Sequence, residues 1–244
     1  MLRRCCRLAA CPLLLAVTAC TPAPQPLEPI AVEAGYRLLF NGNLVGNALF
    51  ALHLEADGTY LIEAFTVPAG QMQQTGRHEI LESSRGSVGD QGIRPQRFEH
   101  SVMQDGRVEA FSFVFDWEAG VLRLIGGKDG ERTVGLLPGT HDRLSYLLAA
   151  RQLAVAAEGI LQIQIASPDS AEKTRLEVMP DEVMEIPLGR YQATGIRRVS
   201  AEPNETRALW FNPGLSPLPL RVVRTWGGNT AEMQLESLSP GHPR

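Results

Sequence analysis

One stretch of this chain carries a helical period, and almost everything else beyond residue 35 carries the period of a strand. From Thr140 to Ala157 the residues read THDRLSYLLAARQLAVAA. Leu144, Leu147, Leu148 and Leu153 fall near i, i+3, i+4 spacing, with Arg143, Arg151 and Gln152 on the other positions, so an amphipathic helix is predicted there. Pro138 and Gly139 stop the preceding strand, Thr140 or Asp142 can accept the free N–H groups of a first turn, and Gly159 can end the helix. A single apolar stripe must be covered, and only a sheet is on offer.

The sheet is written as short alternating runs. Tyr36 to Phe40 and Leu44 to Leu54 flank Asn41-Gly42, a pair that supplies the positive φ angles of a type I′ hairpin turn, and Asp57-Gly58 repeats the device before Tyr60 to Val67. Arg77 to Ser84, Gln96 to Val102, Val108 to Asp116 and Val121 to Ile125 continue the meander. Phe111, Phe113 and Phe115 share one face and mark a core strand. Beyond the helix, Ile160 to Ile165 points Leu161, Ile163 and Ile165 inward and Gln162 and Gln164 outward. Further strands are predicted at Arg175 to Met179, Val183 to Ile186, Tyr191 to Val199, Arg207 to Phe211, Leu220 to Trp226 and Ala231 to Leu238. So many antiparallel strands strain an open sheet through its own twist. The predicted fold is mainly β, an antiparallel meander curled into an open or incomplete barrel, with one amphipathic helix packed on the concave face.

All four cysteines, Cys5, Cys6, Cys11 and Cys20, lie in the first twenty residues. The remainder can therefore hold no disulfide, thiolate metal site or cysteine nucleophile. Arg3, Arg4 and Arg7 precede an apolar run from Leu8 to Val17, the layout of a secretory signal and about half of the roughly 20 residues a spanning helix needs. The formal net charge is −4; losing those three arginines makes it −4 − 3 = −7. An acidic domain with no basic stripe excludes nucleic acid as a partner.

Val17-Thr18-Ala19-Cys20 resembles the lipobox of bacterial lipoproteins. The resemblance implies cleavage before Cys20 and acylation of that residue, so the membrane becomes a partner through a lipid anchor. Burial of each CH₂ is worth about 0.8 kcal/mol, so several chains hold where one exchanges. By the same resemblance, Thr21 in place of Asp implies the periplasmic face of the outer membrane. Thr21 to Pro29, with four prolines in nine residues, reads as a semi-rigid tether. The expected division is 1–19 signal, 20–34 lipidated cysteine and tether, 35–239 a single β-rich periplasmic domain, and 240–244 tail.

From Tyr36 to Leu238 the chain resembles the bacterial envelope family known as domain of unknown function 3108. The resemblance rests on Asn41-Gly42 followed by Val45-Gly46, Gly92-Ile93-Arg94-Pro95 with Phe98, Phe115-Asp116-Trp117, Asp142-Arg143-Leu144-Ser145, Pro187-Leu188-Gly189, and Leu218-Pro219 with Arg221. It implies a secreted or lipid-anchored β-rich domain and no agreed activity.

His141, Asp142 and Ser145 tempt a hydrolase reading, but neighbours on one helix diverge, and no G-x-S-x-G elbow presents a serine. No catalytic residue is assigned. Asp142 is expected to favour the helix start and Ser145 to pack. Asp116, if buried, needs a cation, and Arg94 or Arg143 could supply bidentate hydrogen bonds. A structural network of Asp116, Arg94, Asp142 and Arg143 is therefore expected, joining strand, turn and helix. His53, His78, His100, His141 and His242 show no ligand spacing, so no metal is expected, and no Gly-rich loop calls for a phosphate cofactor. Trp117, Trp210 and Trp226 are read as core residues, with carbohydrate binding left open. The reading that results is a non-enzymatic envelope lipoprotein binding a hydrophobic or envelope ligand, or a partner protein, in the hollow of its sheet. The alternatives are a hydrolase of envelope polymers or a structural spacer.

Overall fold

The computed structural model describes residues 27–75, 78–127, 130–168, 171–199 and 204–241. The signal, Cys20 and most of the tether lie outside the described residues, as does His242. The first eight strands run β1 (Ile30–Phe40), β2 (Asn43–Leu54), β3 (Thr59–Pro68), β4 (His78–Gly89), β5 (Gly92–Gln104), β6 (Arg107–Asp116), β7 (Val121–Gly126) and β8 (Arg132–Gly135). Then come β9 (Thr140–His141) and the helix α1 (Ser145–Ala156). The return is β10 (Ile160–Ala166), β11 (Ala171–Val178), β12 (Glu182–Ile186), β13 (Gly189–Val199), β14 (Glu205–Phe211), β15 (Arg221–Trp226) and β16 (Asn229–Pro240).

One hydrogen-bonded path joins fifteen of these in the order β8-β7-β6-β5-β4-β3-β2-β1-β16-β15-β14-β13-β11-β10-β9, with β12 beside β13. The first and last strands meet in the middle, from Val32 opposite Pro240 to Phe40 opposite Ala231. The edges, β8 and β9, are separated in the chain only by residues 136–139, so they lie within about 19 Å of each other, five Cα steps at most. Across that gap the Arg132 guanidinium donates to the Pro168 carbonyl. The sheet is thus an incomplete barrel, curled until its edges nearly meet but not closed by a ladder.

Its hollow is filled. Tyr36, Phe50, Tyr60, Phe98 and Phe113 from one half, and Leu176, Ile196, Leu209 and Phe211 from the other, join the helix residues Leu147, Leu148 and Leu153 in one core. Burying each of those leucines is worth about 2 kcal/mol. The helix touches β5 on one side and β10, β11, β13 and β14 on the other, so the expected stripe lies inward while Val155 stays exposed.

Several boundaries differ from expectation, each for a local reason. β1 begins at Ile30 and takes over the last five residues of the expected 20–34 tether, because Val32 and Ala34 already alternate inward and pair with β2 and β16. Thr140 and His141 do not open the helix; they pair in parallel with Gln164 and Ile165. That strand covers Gln164, which is buried rather than outward and approaches Thr140 Oγ1 at 3.3 Å. The helix ends on Ala157, which takes the left-handed φ of 57° and donates its N–H to Leu153 O, two residues before Gly159. Asn41 and Gly42 form the expected turn with φ 48° and 80°. At Asp57-Gly58 only the glycine is left-handed, and Gly58 N–H bonds Glu55 O while Glu55 N–H bonds Thr59 O, a three-residue bulged loop instead of a type I′ pair.

Candidate functional site

The helix entrance is a sealed polar hub. Asp142 Oδ1 accepts the N–H groups of Leu144 and Ser145, each at 2.8 Å, and Ser145 Oγ accepts the Asp142 N–H at 3.0 Å. These reciprocal bonds are a capping box, which satisfies donors that a helix start leaves free. Asp142 Oδ2 takes the Ser84 hydroxyl at 2.7 Å, so Tyr60, 3.2 Å from Ser84 Oγ, donates in turn. Asp142, Ser84 and Ser145 are wholly buried and Tyr60 nearly so. Burial pushes the Asp142 carboxyl above its usual range against the opposing pull of those hydrogen bonds. Burial, and then the Asp142 charge, push the Tyr60 phenol up as well. The hub pins the helix to β3 and β4. A nucleophile needs access to substrate, and Ser145, capping and enclosed, has none.

Beside the hub lies His141, buried, with Nδ1 unpartnered and its pKa driven down to about 4 by burial. The ring is therefore neutral at pH 7.

The expected Asp116 network is not formed. Asp116 Oδ1 accepts the Ala119 N–H at 2.8 Å in the β6–β7 turn, a partner of its own strand end that leaves no need for a cation. Arg143 instead meets Glu82 at 3.0 Å and lies over Phe98 and Phe111, while His100 Nδ1 sits 3.0 Å from the same Glu82 oxygen. Arg94 stacks on Trp117, 5.2 Å from the ring centroid, and Trp117 Nε1 donates to Pro95 O at 2.7 Å. Asp142 belongs to neither arginine. The polar partners on β4 had one sequence signal: Glu82, Ser84 and Gly86 occupy the phase that alternation turns inward, where apolar residues are the rule.

Another stretch singled out in the sequence also makes a fixing contact. Tyr36 donates to Pro219 O at 2.8 Å, tying the first strand to the Leu218-Pro219 turn. Each tryptophan has an arginine on its ring: Arg94 on Trp117, Arg221 on Trp210 and Arg224 on Trp226. Each of these contacts places a cation over one face of its indole.

Several hollows are accessible among the described residues, and two of contrasting size bear on function. The larger, about 750 Å³, crosses the outer face of β2 to β7. Alternation turns Phe50 and Ile62 inward, and Leu49 and Phe65, mutual partners, outward. Phe65 faces Leu81, and a second row runs Ala51, Glu63, Ser83, Glu99, Ser112 and Ile125. Leu49 and Leu81 are about half exposed, at 48% and 49%. The smaller hollow, about 190 Å³, lies where the barrel edges approach, walled by Ile93, Arg94, Trp117, His141, Gln152 and Leu161. Among the described residues no three His, Cys, Asp or Glu side chains are grouped to hold a metal ion, and no helix is long and apolar enough to cross a membrane.

A β-barrel-like protein of domain of unknown function DUF1849 from Brucella abortus superposes with a TM-score of 0.61 at 12% identity, covering 90% of this chain and 100% of its own. It shares the fold. An exported-class protein with a YmcC-like fold from Bacteroides fragilis aligns at TM-score 0.33 and 10% identity, and a lipoprotein-class protein from Parabacteroides distasonis at 0.30 and 12%. Both alignments cover 89% of this chain and 100% of the other. No curated protein matches the sequence. The family described as "Protein of unknown function (DUF3108)" matches residues 35–235, from β1 through the helix entrance to β16, and the chain belongs to it.

Proposed function

We propose that this protein is a non-enzymatic accessory module of the cell envelope that holds an acyl chain in the trough on its outer face. The ligand is placed elsewhere than the sequence led one to expect: α1 and core side chains fill most of the hollow of the sheet, and the outer face of β2 to β7 offers the larger apolar surface. One observation carries it, the trough of about 750 Å³ with Leu49, Phe65, Leu81 and Ile125 exposed along it. That volume lies in the range of ligand sites. Six strands at about 4.8 Å make it about 24 Å across, against about 15 Å for one leaflet of a bilayer's hydrocarbon core. With each buried CH₂ worth about 0.8 kcal/mol, ten methylenes supply about 8 kcal/mol before the cost of ordering the chain. Lipid attachment at Cys20 would keep the trough near a membrane, the source of such chains.

A fluorescent long-chain fatty acid titrated into the protein tests this. Leu81→Glu places a charge in the trough at an exposed position, and binding is expected to weaken by about tenfold or more. Equal binding by the variant, or none by the natural chain, overturns the reading.

A further inference from the structure

The smaller hollow has a chemistry of its own. In a chain with more acidic than basic residues, no Asp or Glu lines it. Its walls are apolar at Ile93, Ala149, Leu161 and Ile163 and carry Arg94, His141 and Gln152. Arg94 has no carboxylate in ion-pair reach among the described residues; its guanidinium carbon lies over the Trp117 ring, 5.2 Å from the centroid. Stacking of that kind leaves the in-plane N–H groups free to donate. Across Ile93 and Gln152, which wall both, lies a second hollow of about 50 Å³. It contains Arg151, half-buried, whose Nε has no partner and whose pKa is lowered by desolvation with no acid to offset it. Two arginines lacking counterions therefore stand on either side of a shared wall, next to a buried histidine with an unpartnered nitrogen. Burying a cation without an anion is costly, and proteins keep buried cations paired.

We infer that the cleft between the β4–β5 turn, β10 and the outer side of α1 binds a small organic carboxylate, its head on Arg94 and its short apolar body against Ile93, Leu161 and Trp117. At about 30 Å³ per water the cleft holds about six waters, which sets a body of a few carbons. Arg94 offers the two parallel N–H groups that match a carboxylate. Arg151 strengthens the positive potential from behind the wall, where low dielectric screens it weakly. The site is separate from the trough, and the two readings stand or fall apart.

Calorimetric titration of the full mature chain with hexanoate, acetate and inorganic phosphate tests it. Hexanoate is expected to bind at least about tenfold more tightly than acetate or phosphate, since only it fills the apolar walls. Arg94→Gln is expected to lower hexanoate affinity by about tenfold or more, and Arg151→Gln by a few-fold. Gln152→Glu sets a carboxylate on the wall from an exposed position and is expected to weaken hexanoate as much as Arg94→Gln, which keeps the test informative if the latter variant unfolds. Leu81→Glu is expected to leave hexanoate unaffected. Phosphate binding as tightly as hexanoate would make the site a plain anion site and overturn the carboxylate assignment. Undetectable hexanoate binding, or binding unchanged in both Arg94→Gln and Gln152→Glu, overturns the site itself.

Discussion

Removing the Asp142 side chain should reveal whether the helix is held by acceptor geometry or by charge. Three donors converge on this carboxylate, the N–H groups of Leu144 and Ser145 and the Ser84 hydroxyl, all at 2.7 or 2.8 Å and all shielded from water. Asp142→Ala leaves two buried N–H groups without acceptors, at about 1 to 3 kcal/mol each, whereas Ser84 can turn to Tyr60. Part of that cost is returned because no carboxylate need be buried. The net expectation is a loss of about 3 kcal/mol. Asp142→Asn keeps Oδ1 for both N–H groups, and its new NH₂ can donate to Ser84 Oγ, so a loss of about 1 kcal/mol or less is expected. Urea unfolding at pH 7 measures both, and unchanged denaturant slopes would confirm that native stability moved and not the unfolded ensemble. If Asn proves as damaging as Ala, the negative charge holds the helix, and the capping account is wrong. If Ala costs under about 1 kcal/mol, the hub does not pin the helix at all.

Two further outcomes follow from the same structure. His141 is held neutral, its pKa lowered from 6.5 to about 4, so the unfolded chain takes up its proton first as pH falls. Stability is therefore complete above about pH 6.5 and drains away toward pH 4, by about 3 to 4 kcal/mol at about 1.4 kcal/mol per pH unit. The difference in unfolding free energy between the natural chain and His141→Leu should shrink by that amount over this window, and a pH-independent difference would refute it. Asp142 acts with the opposite sign, since its raised pKa makes ionisation costly to the fold and acid relieves that cost. Labelled palmitate supplied to growing cells should enter the natural protein and not Cys20→Ser; label in both would end the lipid-anchor proposal.

Most of the architecture was legible because it depends on period. Alternation over 36–40, 44–54 and 60–67, broken by Asn-Gly and Asp-Gly, marks strands that all form, and the 3.6-residue spacing of Leu144, Leu147, Leu148 and Leu153 marks the side of the helix that is buried. The capping role of Asp142 was also readable, since a carboxylate two or three residues ahead of a leucine stripe has free N–H groups within its reach. What could not be read was pairing between segments distant in sequence. Arg143 has acidic residues to choose from along the whole chain, and only the curl of the sheet brings Glu82 of β4 beneath it while Asp116 spends its oxygen on Ala119. Likewise, whether Thr140 and His141 continue a strand or open a helix depended on Gln164 and Ile165 lying alongside, more than twenty residues later. Local sequence thus determined each element and the face it buries, because propensity and periodicity act over a few residues. The tertiary structure alone decided which charges meet, which hollows stay open and which apolar side chains are left exposed on the outside of the sheet, because those depend on how far a sixteen-stranded sheet curls before its edges come together.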